Sequence, residues 1–334
     1  MGKQRSAEAD MSITVKGTLK SGAQYDLSEI ISEPEWYTSI DGQPGKFTFK
    51  ILDDPNVFYK NGDMIEFSNG GKTYFKGKIF KRQKTKDDLW QITAYDNLRY
   101  LQNEDTIVFD ASTAAERFKR ICETQGLPYK IGMAPGYKCA AVVADGKTYF
   151  TMLDEALQET RRAANDSRYT FYDDAGTVKF VALQELNTPL LLGDNSLISD
   201  YDYESSIDDA FNAIKVVREN EKNKTREVYV ASDSKTISEW GKLQKVEKAN
   251  DADLNAQQLQ QMANDKLREL NVVGVTFKLD SVGDFRIRAG NSFNLVLEDM
   301  RREWGRTQCV VLVHSCTHRF SPVHTMSLDV EVVH

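Results

Sequence analysis

The chain has 334 residues, of which 40% are hydrophobic and 28% charged, and its formal net charge is −7. That apolar content is ample for two or three packed domains and excludes a disordered chain. The acidic balance argues against a protein whose main task is to grip nucleic acid, because such proteins neutralise phosphates with basic patches.

No apolar run approaches the roughly 20 residues of a membrane helix, and the opening MGKQRSAEAD lacks the apolar core of a signal peptide. The expectation is a soluble protein made in the cytoplasm, with no membrane partner. Cys122, Cys139, Cys309 and Cys316 are widely spaced and read as reduced, buried thiols, not as a disulfide framework.

Residues 1–10 are polar and are expected to be a flexible N-terminus. Residues 11–104 carry strand and turn signals throughout. Phe47, Phe49 and Ile51 alternate with Thr48 and Lys50, and 64–80 reads as a hairpin around Asn69-Gly70-Gly71. Trp90, Ile92 and Ala94 alternate with Gln91 and Thr93, and the turn pairs Asp41-Gly42, Pro44-Gly45 and Asn61-Gly62 punctuate the region. This is an all-β domain of short strands, ending near Leu101.

Residues 105–196 switch to helix grammar. Thr113 with Glu116 three residues later forms a capping box, Ala115, Phe118, Ile121 and Cys122 share one face, and Gly126 with Pro128 supplies the stop. A loop rich in Gly and Pro follows over 126–146, then a second helix over 151–165. Next comes a hairpin in which Tyr169, Phe171, Val178 and Phe180 flank the turn Asp174-Ala175-Gly176. The region reads as a compact α+β insert.

From 197 to 334 strands return. Segments 213–217 and 226–231 form an antiparallel pair around the charged loop 219–224. A long helix over 252–270 carries the apolar stripe Leu259, Met262, Ala263, Leu267 and Leu270, and is expected to pack on its own β-domain. Strands around 275–279, 286–287, 292–297, 309–320 and 326–333 complete that domain.

The run TAYDNLRYLQNEDTIVF, the helix signal TAAERFKRICETQGLPY, the unit TMLDEALQETRRAANDSRYTFYDDAGTVKFVAL and the late segments DFRIRAGNSFNLVLEDM and VLVHSCTHRFSPVHTMSLDVEV carry a family likeness. Together they resemble the baseplate hub proteins of contractile phage tails and phage-tail-like bacteriocins, the XkdQ-type hubs of PBSX-like defective prophages among them. The resemblance runs from about Met11 to the C-terminus and rests on the order of several modules, not on a catalytic signature.

The resemblance implies a mainly β fold with an α+β insert: two tube-like β-barrel domains, 11–104 and 197–334, flanking a smaller α+β domain, 105–196, with a flanking helix, 252–270, in the second barrel. It implies a structural hub and no enzyme, a homotrimer forming a pseudo-six-fold ring that adapts a hexameric tail tube to a trimeric spike. The implied partners are further copies of the chain, the tail tube protein, the spike protein and other baseplate proteins, with DNA at most passing through the lumen and no cofactor. The setting is the baseplate of a virion or tail-like particle. The alternative from another class is a tail-associated peptidoglycan hydrolase.

Three constellations carry possible chemistry. His314, Cys316 and His318 lie at i, i+2 and i+4 of an expected strand, which puts all three on one face with Cys309 and His324 nearby. Metal ligation is one reading; a small buried thiol flanked by hydrogen-bonded histidines is the plainer one. The acidic groups Asp173-Asp174, Asp200 with Asp202 and Glu204, and Glu298-Asp299 include the residue types of a glycosidase, but the first and last sit at turn positions that are ordinarily solvated. The run KTYFKGKIFKRQKTK, 72–86, interleaves bases and aromatics like a single-strand binder, yet its period of two fits a hairpin better. No Walker loop, G-x-S-x-G, H-E-x-x-H or G-x-G-x-x-G occurs, and Trp36, Trp90, Trp240 and Trp304 are too scattered for a carbohydrate-binding face.

Overall fold

Alternation decides the first region. In the strand Lys46–Leu52 every second side chain, Phe47, Phe49 and Ile51, is buried, and Ile92 with Ala94 does the same from Leu89–Tyr95, which pairs antiparallel with it. The strands Met64–Asn69 and Lys72–Lys84 meet at Gly70 and Gly71, both at positive φ, as a two-residue hairpin turn of this hand requires. Phe47 stacks on Phe67 at 5.1 Å, and Trp36 and Phe75 close the same core. Each such ring contributes about 1.5–3 kcal/mol when fully withdrawn from water. The structure, a computed structural model, describes residues 13–54, 59–84, 86, 88–163, 168–194, 196–220, 225–249 and 254–333, so the expected flexible segment 1–10 lies outside it.

The helix Ala114–Gln125 forms as its sequence dictates. Thr113 Oγ1 accepts from the Glu116 N–H at 3.1 Å, the Glu116 carboxylate accepts from the Thr113 N–H at 2.8 Å, and Gly126 ends the helix in the left-handed conformation. Phe118, Ile121 and Cys122 are fully buried against the second helix, Tyr149–Ala163, and the hairpin of Tyr169–Asp174 with Thr177–Ala182. The residues 164 and 165 at the end of the expected second helix lie outside the described set. The loop expected over 126–146 contains two strands: Tyr129–Ile131 joins the hairpin in parallel, and Val142–Thr148 pairs with Glu104–Phe109.

The last third does not form a barrel of its own. Its strand Gln308–Arg319 pairs antiparallel with Ile31–Ser39 of the first region, Cys316 opposite Thr38 and His318 opposite Trp36. One 13-stranded sheet therefore runs through both regions, with an open path of strands that ends at Gln24–Asp26. The protein is mainly β with few helices, as expected, but the sheets are not closed.

By contact the chain divides into two compact units, Met1–Tyr201 with Lys278–His334, and Asp202–Phe277. In the second unit Thr225–Ser232 and Gln244–Lys248 flank Ala213–Asn220, and the helix Ala256–Leu270 lies on that three-stranded sheet. Asn255 caps the helix in a capping box with Gln258, while Leu259 and Ala263 are buried on Ile214, Val216 and Ala231. The expected stripe is real, but its partner is this small sheet and not a barrel. The helical residues expected from 252 to 253, and most of the loop 219–224, lie outside the described residues.

Candidate functional site: the connector Gly283–Asn291

Within the larger unit, one irregular segment touches nearly every neighbouring element. A strand is expected around 286–287, but no ladder forms there. The backbone N–H groups of this segment are divided between side chains and scattered backbone carbonyls. Arg286 N–H donates to Asp284 Oδ1 at 2.8 Å, Arg288 N–H to Asn291 Oδ1 at 2.7 Å, and Ala289 N–H to Thr38 Oγ1 at 3.0 Å. Gly290 N–H donates to the Val313 carbonyl, and Asn291 Nδ2 donates to the Leu186 carbonyl and to Thr188 Oγ1. The backbone turns at 285–286 and again at 289–290, so no ladder can form and each buried donor needs a partner of its own.

Arg288 is the centre of the segment. Its two terminal nitrogens donate to the Asp173 carbonyl oxygen at 3.2 Å, and its guanidinium lies 4.1 Å from the centre of the Tyr172 ring. Asp173 is 4% exposed and Asp96 5% exposed, so the turn of the middle hairpin and the cap of the segment Asn97–Gln102 meet around this cation. Burial, and for Asp96 the neighbouring Asp173 charge, pushes both carboxyls above the ordinary carboxylate range; burial also pulls Arg288 down. Asp173 Oδ1 accepts from Gly176 N–H at 2.6 Å, and Asn97 Nδ2 donates to the Gly176 carbonyl. Gly45 is required beside them, because a Cβ there would stand 2.3 Å from Asp96 Oδ2.

At the other end of the connector lie two buried imidazoles. His318 is 0% and His324 2% exposed; their rings contact Phe285 and Phe320, and His318 stacks on Trp36 at 5.2 Å. His318 Nε2 lies 2.9 Å from the Ile287 carbonyl, and His318 Nδ1 lies 2.9 Å from His324 Nε2. Burial holds both imidazoles down at about 4. Gly283 lies flat on the His324 ring, where a Cβ would come within 2.1 Å.

His314 does not share that environment. A β-bulge between Val313 and Ser315 inserts it as an extra residue and turns it out of the inward face that Cys316 and His318 occupy. Its Nδ1 meets Asp41 Oδ1 at 3.1 Å and its Nε2 meets Glu331 Oε2 at 3.0 Å, while Arg168 holds Glu331 with two parallel bonds. These hydrogen bonds raise His314 to about 9, and those from His314 and Arg168 lower Glu331 to about 2. The expectation of one face for His314, Cys316 and His318 fails at this bulge. Among the described residues no group of three His, Cys, Asp or Glu is arranged to hold a metal ion.

The other sequence candidates separate as well. Asp173 is not solvated, as its turn position suggested, but enclosed; Asp174 pairs with Lys179 at the surface. Glu298 and Asp299 are exposed, and so are Asp200, Asp202 and Glu204. The basic run is the hairpin strand Lys72–Lys84, with Phe75 and Ile79 inside and Lys76 paired to Glu66. All four cysteines are buried free thiols. Sequence reasoning missed Asp96, Arg288 and the pairing of His318 with His324. The only local signal was a pair of glycines, Gly283 and Gly290, bracketing a short alternating run.

The profile of the YQBQ-like family matches residues 34–331 of the chain. Over 270 residues the chain is 32% identical to the uncharacterised protein YqbQ of Bacillus subtilis (strain 168), which covers 76% of this chain and 80% of that protein. The fold is similar to that of the 43 kDa tail protein of prophage MuSo2 from Shewanella oneidensis, with a TM-score of 0.68 at 12% identity, covering 96% of this chain and 98% of that one. It is also similar to that of the tail protein from Neisseria meningitidis MC58, with a TM-score of 0.65 at 14% identity and 96% of both chains covered. The likeness to phage tail proteins that the sequence carries is thus present in the fold across nearly the whole chain.

Proposed function

The chain belongs to the YQBQ-like family, and from that premise and its fold we propose that it is a structural hub in the baseplate of a contractile phage tail or tail-like particle. The observation that carries this reading is the likeness in fold to two tail proteins over 96% of the chain. The connector supports it in physical terms. Its polar groups are spent on joining the first, middle and last regions, and the carboxyls of Asp96 and Asp173 are enclosed and not presented to a substrate.

In this reading three copies form a ring that joins a hexameric tail tube to a trimeric spike. A heterologous contact repeated about an axis closes on itself, and two similar β-regions per chain give three copies six near-equivalent docking edges. Residues 11–104 and the strands of 197–334 supply those edges, and 105–196 faces the spike. Strand edges, such as that of Gln24–Asp26 at the end of the sheet, offer unpaired N–H and C=O groups to a neighbour. The partners are then further copies of the chain, tube, spike and other baseplate proteins, and the role is not enzymatic.

The test is electron microscopy of particles from a producing strain, with gold directed at a tag within residues 1–10. Label at the spike end of the tail is the expected result. Protein found soluble and absent from every tail overturns the reading and returns a cell-wall hydrolase to consideration.

A further inference from the structure

We propose that His318 and His324 form an acid-sensitive latch that holds the connector Gly283–Asn291 in its groove at neutral pH and releases it on protonation. The Ile287 carbonyl can only accept a hydrogen bond. His318 Nε2, 2.9 Å away, must therefore carry a hydrogen and donate it. In the neutral ring His318 Nδ1 is then bare and accepts, so His324 Nε2 must donate to it across 2.9 Å. His324 Nδ1 is left bare, buried and without a hydrogen-bond partner among the described residues. Only one arrangement of two protons satisfies the pair.

A third proton fits nowhere. Placed on His318 Nδ1, it obliges His324 to shift its own hydrogen to Nδ1, where a buried donor has nothing to receive it. Placed on His324 Nδ1, it is stranded in the same spot. A fourth proton sets two N–H groups against each other.

Of the charged groups nearby, Asp284 is ionised and favours protonation of both rings, but its carboxylate is engaged by the N–H and guanidinium of Arg286 and is outweighed by burial of the imidazoles. Arg288 opposes a second cation nearby. Tyr74 faces Phe285 at 4.9 Å and stays neutral, its pKa raised by burial, and Trp36, Phe285 and Phe320 line the rest. The downward shift of both imidazoles agrees with this geometry.

The sign follows from linkage. Both groups have folded values below the free value, so the unfolded or opened segment takes up protons first, and closure weakens as pH falls from about 6.5 towards 4. At pH 5 the opening constant rises roughly 30-fold per histidine relative to pH 7.5. His314, raised to about 9 and lying outside the segment that opens, keeps its proton whether the connector is closed or open and contributes nothing to the change.

The test uses the full chain and two readouts. Imidazole C2–H resonances followed by NMR from pH 7.5 to 4 are expected to show two histidines still neutral at pH 5; if every imidazole titrates near 6.5 in the folded protein, the proposal is overturned. Hydrogen exchange, corrected for intrinsic rate, is expected to show protection of 283–291 falling by roughly several hundred-fold between pH 7.5 and 5, about 30-fold from each histidine, while the helix Ala114–Gln125 is unchanged. The double variant His318→Gln with His324→Gln keeps amide donors towards Ile287 and residue 318 but has no imidazole proton to gain, and its connector is expected to lose the acid-induced opening. Equal acid opening in wild type and variant assigns the effect elsewhere and sinks the latch. Should the variant not fold, unchanged wild-type protection at pH 5 does the same.

Discussion

His314 and His318 stand four residues apart on one strand and behave as opposites. His314, swung outward by the bulge, sits between two carboxylates and is held as a cation with its pKa near 9; His318, facing inward, sits among aromatic rings and is held neutral near 4. The difference teaches that charge on this seam is set by which side of the sheet a residue faces. The outer side ties Asp41, Arg168 and Glu331 together by ion pairs open to water, and the inner side ties Thr38, Asp173 and Ile287 together by enclosed polar contacts. The two sides should therefore fail very differently when broken.

The largest effect is expected on the inner side. Arg288→Met removes the cation from two enclosed carboxyls and should cost about 3–5 kcal/mol at pH 7, read from urea denaturation. The loss should shrink on acidification. Asp96 and Asp173 already have folded values above the free carboxylate, and without Arg288 these rise further, so the folded variant takes up protons that relieve the clash. A loss of under 1 kcal/mol, or one independent of pH, would show that the cluster is not held by charge.

Gly283→Ala comes next. Its Cβ drives into the His324 ring and should cost about 1–3 kcal/mol, with local opening of 283–291 visible by hydrogen exchange at neutral pH. The smallest effect belongs to the outer side. His314→Gln should lower stability by about 1 kcal/mol or less, since its partners are partly exposed. With a raised folded value, the wild-type advantage should be complete below about pH 6.5 and gone as pH climbs past about 9. Denaturation at pH 6, 8 and 10 separates the two sides: an advantage for wild type that persists at pH 10 would mean His314 acts through packing.

What the sequence made legible was local. The helix Ala114–Gln125 was readable to the residue because its cap, apolar face and stop lie within a few positions of one another, and the hairpin at Gly70-Gly71 was readable for the same reason. The mainly β character followed from alternation. The seam was not readable, because its rules are non-local: Thr38 meets Ala289, Asp173 meets Arg288, and nothing in either neighbourhood names the other. The strand expected around 286–287 does not form, because the backbone there turns at 285–286 and at 289–290 and its partners are distant in sequence. The bulge at His314 had no glycine or proline to announce it, so the face assigned to that histidine was off by one residue. The same limit explains the helix Ala256–Leu270, whose stripe was plain while its partner sheet was not.

The pairing of Gln308–Arg319 with Ile31–Ser39 also sets a timetable. During synthesis the earlier strand leaves the ribosome long before its partner is made, and at ~5–20 residues per second the interval is on the order of tens of seconds. Throughout it the amyloid-prone feature of any sheet, a row of unsatisfied backbone groups beside aromatic residues, stands open at Trp36 and Thr38. The nascent chain thus has a waiting period built into its topology, which ends only when Gln308–Arg319 has been made.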